Sequence, residues 1–149
     1  MFGVPMFGES DGSERWVIRP SAYALLGDAG RIAVVRSRDG VFLPGGGIEG
    51  EETPAQAIER ECLEECGFLV VPGSWTTRAV QWAYSPSERS HFEKRSTFQE
   101  CAIAGPDASR QEAGHELLWL DSAAAQRTLS HPSHGWAVER WIERLRGRA

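Results

Sequence analysis

One stretch constrains this chain more than any other: Pro44 to Phe68, PGGGIEGEETPAQAIERECLEECGF, where a glycine loop, a helix start, an acidic helix face and a helix stop follow one another. Thr53 can cap the amide of Gln56 while the Gln56 side chain reaches back, and Pro54 suits the first turn, so a helix begins there. Gly67 supplies the left-handed residue that ends it, and the expected helix is Pro54 to Cys66. At 100° per residue Ala55, Ile58, Cys62 and Cys66 share one arc, and Glu61, Glu64 and Glu65 share the adjoining one. At a separation of roughly 6 Å each pair of those carboxylates repels by about 3 kcal/mol in a half-buried setting, and by less than about 1 kcal/mol when solvated. The charges alone allow two readings: a wet acidic face relieved by Arg60, or a site for a divalent cation.

The spacing decides between them. Gly46, five residues, Glu52, seven residues, then Arg60-Glu61-Cys62-Leu63-Glu64-Glu65-Cys66-Gly67-Phe68 resembles the Nudix box G-x5-E-x7-R-E-U-x-E-E-x-G-U, in which U is a bulky aliphatic or aromatic residue. Every fixed letter matches, and a chance match at ordinary residue frequencies is on the order of one in a million. Cys62 departs from the aliphatic U position, but a buried thiol packs as a small hydrophobe. The resemblance implies an α/β fold, a Nudix-type α/β/α sandwich with a mixed β-sheet. It implies hydrolysis of a nucleoside diphosphate linked to another group, by water attack at phosphorus, with Mg²⁺ or Mn²⁺ as cofactor. Hard cations take carboxylate oxygens, which fits the acidic face. Carried onto this sequence, Glu61, Glu64 and Glu65 hold the metal and one of them moves a proton, while Arg60 orients them and Glu52 braces the loop. Gly45, Gly46 and Gly47 would let the loop lie against metal and substrate phosphate.

Gly45-x-Gly47-x-x-Gly50 after Val41-Phe42-Leu43 also satisfies a dinucleotide-binding fingerprint. Glu49, Glu51 and Glu52 crowd the helix entrance that would have to receive a pyrophosphate, and a second parallel βαβ half is missing, so that reading is rejected.

Beyond the box, 149 residues with 41% apolar content suit one domain, here residues 15 to 149, with residues 1 to 14 a mobile lead-in lacking the pattern of a signal peptide. A net charge of −5 disfavours a nucleic-acid polymer as partner, whereas a small nucleotide remains suitable if a metal carries positive charge. No run reaches the length of a membrane span. Cys62, Cys66 and Cys101 lack zinc spacing and a disulfide framework, so free thiols and a cytoplasmic location are expected. A homodimer is left open.

The expected strands are Trp16 to Ile18 and Ala22 to Leu26, the latter in a hairpin with Ile32 to Arg36. Val41 to Leu43, Phe68 to Val71, Thr76 to Ala83, Thr97 to Ala104 and Leu117 to Leu120 follow, with a polar loop from Ser85 to Ser96. Asp121 caps a helix to about Leu129, and Ala137, Val138, Trp141, Ile142 and Leu145 mark a final amphipathic helix from about Ser133.

Nudix enzymes often add a downstream carboxylate, for which Glu100, Glu112 and Glu116 are available and Glu112, in the loop before Leu117, is the choice as a further metal ligand. His91 and His115 are weaker candidates for a base, because the family's proton transfers reside in glutamates. Tyr84, with Trp82 and Phe92 nearby, is a candidate to bind substrate by stacking on a base. Tyr84-Ser85-Pro86-Ser87-Glu88, His115-Glu116-Leu117 and Ser130 to Val138 are similar to a bacterial branch of small MutT-type Nudix proteins. For such a protein (d)NTP or oxidised (d)NTP cleavage to NMP and pyrophosphate leads. ADP-ribose, dinucleoside polyphosphate and nucleotide-sugar pyrophosphatases, a non-catalytic binding module, and an isoprenoid diphosphate isomerase on the same fold are the alternatives.

Overall fold

The computed structural model describes residues 4–10 and 15–147; the remainder of the expected lead-in lies outside the described residues. In chain order the elements are β1 Met6–Phe7, β2 Trp16–Leu25, β3 Gly27–Asp28, β4 Arg31–Ser37, β5 Gly40–Phe42, β6 Gly45–Gly47, α1 Pro54–Cys66, β7 Phe68–Ser85, β8 Ser90–Pro106, β9 Glu116–Asp121, α2 Ser122–Thr128 and α3 Pro132–Gly147. One mixed sheet runs β1-β7-β8-β2-β6, with β2 parallel to β8 and antiparallel to β6. In the second sheet β4 has β9 along one edge and shares the other between β3 and β5, all antiparallel.

Alternation along β2 and β4 builds the sandwich, because successive side chains of a strand face opposite ways. Ala22, Ala24, Leu26, Ala33 and Val35 pack with Ala57, Ile58, Cys62 and Cys66 of α1. Tyr23, Leu25, Ile32 and Val34 face the other way and pack with Ala125, Ala137, Val138 and Trp141 of α2 and α3. The α1 side is made largely of alanine and cysteine, so the helix lies close to the strands, and Cys62 fits there because it is small. Ala57 is fully buried rather than the expected Ala55.

Helix α1 has the bounds expected from the sequence. Thr53 Oγ1 accepts from the Gln56 amide at 3.1 Å, Gln56 Oε1 accepts from the Thr53 amide at 2.9 Å, and Gly67 closes the helix at φ +71°. Elsewhere the elements are longer than local patterns suggested. Trp16–Leu25 is continuous through Pro20, and its partners are β8 and β6 rather than β4, so the expected hairpin shrinks to β3 with the start of β4. Pro72-Gly73 does not end β7; a register shift between Pro72 and Thr76 absorbs it as an irregularity in one strand. The polar loop expected from Ser85 to Ser96 is instead a four-residue turn between Ser85 and Ser90. Part of the lead-in is ordered against the sheet: Met6 and Phe7 pair parallel with Val80 and Gln81, and the Phe7 ring sits 6.0 Å from Trp136.

Because Thr53 is exposed and its hydroxyl serves the helix end, Thr53→Ala is expected to lower the unfolding free energy by about 1 kcal/mol in urea titration without changing the dependence on denaturant.

Candidate active site

Strand β6 brings the glycine loop alongside β2, pairing Gly45 with Tyr23, Gly46 with Ala22 and Gly47 with Ser21. Gly45 leaves no room for a side chain, and a Cβ at Gly46 would push the Glu61 carboxylate aside. A Cβ on Gly45, at φ +146°, would stand 2.1 Å from the Ala22 carbonyl oxygen, and one on Gly46 would stand 2.8 Å from Glu61 Oε1. The loop is bare so that helix α1 can set its carboxylates against the backbone. The Gly45 amide donates to Glu65 Oε1 at 2.9 Å.

Arg60 ties the rest together. Its Nε and Nη2 fork onto the two oxygens of Glu52 at 2.7 and 3.1 Å, and Nη2 also donates to the Gly47 carbonyl at 3.1 Å. Nη1 lies 3.0 Å from Glu61 Oε1 and 3.4 Å from Glu64 Oε1. Glu52 in turn accepts from the Glu49 amide. Arg60 holds the Glu52 carboxyl below its usual range, chiefly by that hydrogen bond. Burial outweighs Arg60 at Glu61 and pushes that carboxyl up to about 7. Glu65 is raised well above the carboxylate range by burial and then by Glu61, with the Gly45 amide opposing.

Glu61 and Glu65 open onto a cavity of about 500 Å³ that also meets Gly45, Gly46, Gly47 and Tyr84. Glu64 is not on the cavity wall; Arg60 joins it to Glu61. Among the described residues no three acidic, histidine or cysteine side chains already form a cage. The donor set nevertheless suits a hard divalent cation: oxygen ligands only, two of them half-buried with their charges incompletely matched.

The candidates outside the box divide. Glu112 is exposed and does not line the cavity; its backbone amide accepts no role there but donates to the Glu64 carbonyl at 2.8 Å, fastening the loop to the end of α1. The same loop brings in His115, whose Nε2 lies 3.6 Å from Glu65 Oε2. Glu100 is engaged far along the chain with Trp141 and Arg144, and Glu116 pairs with Arg36. His91 sits between Trp16, which it meets edge-on, and Tyr84, to which it is tilted. Trp82 donates to Glu93, and buried Phe92 lies beneath the Arg19 guanidinium, leaving Tyr84 as the aromatic of that group on the cavity. Sequence reasoning did not single out Lys94, Asp39 or His131, which also line it. The signal for Lys94 was its being the chain's sole lysine.

The family profile for a NUDIX domain matches residues 17–141. Among solved structures, a NUDIX hydrolase from Nitrosomonas europaea superposes with a TM-score of 0.70 at 18% identity, covering 85% of this chain and 90% of that one. A C. elegans Ap4A hydrolase binary complex gives 0.66 at 14% identity over 87% and 98%. The E. coli dihydroneopterin triphosphate pyrophosphohydrolase gives 0.58 at 23% identity over 86% and 99%. No curated protein matches the sequence. At these identities the structures establish a shared fold, and the profile, spanning most of the chain and its whole acidic helix, establishes that the protein belongs to the Nudix hydrolase family.

Proposed function

We propose that the chain hydrolyses the pyrophosphate linkage of a nucleoside diphosphate derivative, with (d)NTP or oxidised (d)NTP going to NMP and pyrophosphate as the leading reaction. The observation that supports this most is the placing of two half-buried carboxylates, Glu61 and Glu65, on the wall of a nucleotide-sized cavity, under a loop with no side chains. Glu61, Glu64 and Glu65 would hold Mg²⁺ or Mn²⁺, which when bound neutralises phosphate charge and makes water a better nucleophile. The protein's own groups supply the positioning. Arg60 fixes Glu61 and Glu64 relative to the loop, and Gly45, Gly46 and Gly47 leave space for phosphate oxygens beside them. One of these glutamates would also move the water's proton; in the metal-free protein burial raises Glu61 to about 7. Tyr84, half exposed at the cavity, offers a face for a base.

A nucleotide panel with Mg²⁺ or Mn²⁺, scored for phosphate, pyrophosphate and mononucleotide, tests the reaction. Pyrophosphate and NMP from triphosphates are expected; cleavage confined to dinucleotides, ADP-ribose or nucleotide sugars would move the protein to one of those activities. Glu64→Gln and Glu65→Gln should each reduce turnover by roughly 10²-fold to 10⁴-fold. Without metal these variants should melt no lower than the parent, since Glu64→Gln removes a like charge from a crowded face and Glu65→Gln replaces a carboxyl whose charged form burial already disfavours. Mg²⁺ should raise the parent's melting temperature more than theirs, because a ligand of the folded state stabilises in proportion to its affinity. Equal melting with and without Mg²⁺, together with full turnover in the Gln variants, would return the acidic face to a solvated surface.

A further inference from the structure

The end of the cavity away from the glutamates has its own chemistry. Lys94 lies on β8 opposite Arg19 of β2, four positions from Tyr23, whose other neighbour is Gly45. At ~3.3 Å per residue and ~4.8 Å between strands, the backbones of Lys94 and Gly45 stand about 13 Å apart along the strands and two strands across. That separation is of the order of a nucleotide's own length, not of the gap between adjoining phosphates.

Lys94 is a largely desolvated cation with no carboxylate within ion-pair distance among the described residues. Its Nζ is 3.2 Å from His131 Nε2 and 5.6 Å from the centre of the Phe42 ring. Burial, then Lys94 itself, holds His131 down to about 3, so the imidazole is neutral and accepts from the ammonium. One ring nitrogen leaves donors of Lys94 to spare. The other charged groups facing it are Arg19, Glu88 and Asp39. Arg19 is closed off by a two-pronged pair with Glu88, at 2.8 and 3.0 Å. Asp39 lines the same cavity and accepts from Ser85 and Ser87 through one oxygen, Oδ2.

Two cations and two carboxylates therefore balance along the cavity wall at this end, with exposed Arg38 acting on Asp39 from outside it. A phosphate would gain nothing net there, whereas an uncharged ring with acceptors on one side and donors on the other would use both Lys94 and Asp39. Guanine has that pattern: O6 and N7 accept and the N2 amino group donates. Adenine sets an amino group where O6 would be, so it would point hydrogens at the ammonium. We infer that Lys94 and Asp39 select a 6-keto purine over adenine, with Lys94 donating to O6 and N7 and Asp39 accepting from the N1 and N2 side. The inference rests on the nucleotide-hydrolase reading in that the glutamate end takes the phosphates.

Equilibrium binding of GMP and AMP by calorimetry, in parallel with hydrolysis of GTP and ATP, tests it in the full chain. The parent should favour the guanine ligand by roughly tenfold to hundredfold, the size of a good two-point contact to a base edge. Lys94→Met should bring the two ligands to within about twofold, chiefly by weakening GMP, with AMP binding as the internal control for folding. Asp39→Asn, which retains an oxygen for Ser85 and Ser87, should also shrink the preference. A parent that binds GMP and AMP alike, or a preference unchanged in Lys94→Met, overturns the inference even if nucleotides are hydrolysed. A guanine preference that Lys94→Met removes, in a protein that hydrolyses nothing, supports it and overturns the hydrolase reading instead.

Discussion

The site depends on one guanidinium. Arg60 meets Glu52 with two prongs, holds the Gly47 carbonyl, and still has Nη1 for Glu61 and Glu64. A lysine has three donors at a single point and lacks the planar fork, so it could not hold the loop and the helix face in fixed relation at once. Glu52 comes from the loop and the other carboxylates from α1; the arginine is what turns a loop and a helix into one rigid piece. Its charge also offsets like charges that would otherwise drive the first and last turns of the motif apart.

Close docking of that piece has a second condition, in the core. Alanines 22, 24 and 33 on the strands and Ala57 and Cys62 on the helix are small, so α1 approaches near enough for Glu65 to reach the Gly45 amide. The opposite face of the same strands carries Tyr23, Leu25, Ile32 and Val34 against α2 and α3. Bulk is distributed unequally between the two faces of β2, with the small side under the charged helix.

Much of this was legible in the sequence because it is local. Thr53, Pro54, Gln56 and Gly67 settle the helix among themselves, and the box spacing places Arg60 and the glutamates on that helix without help from the rest of the chain. The failures concern distant partners. Nothing near Ser85 announces that its hydroxyl, with that of Ser87, meets Asp39, or that Glu88 meets Arg19, and those contacts are what convert a polar loop into the end of a hairpin. Glu112 was attractive as a loop carboxylate, but its backbone is fixed to the helix end while His115, three residues on, faces Glu65. A loop that is tied at one residue presents another, and sequence distance alone cannot choose between them.

The parallel pairing of β2 with β8 has a consequence for how the protein is made. Arg19 faces Lys94 and Tyr23 faces Phe98, so the floor of the cavity joins the beginning of the domain to its later half. Closing so long a loop is entropically slow, whereas the capped α1 and the β3–β4 turn need only neighbours. As the chain leaves the ribosome the acidic helix can therefore coil while β2 still has no β8 to lie beside. For that interval Ala22, Ala24 and Leu26 form an apolar strand with an open edge, and the risk of clumping during synthesis falls on β2 rather than on the charged segment that carries the chemistry.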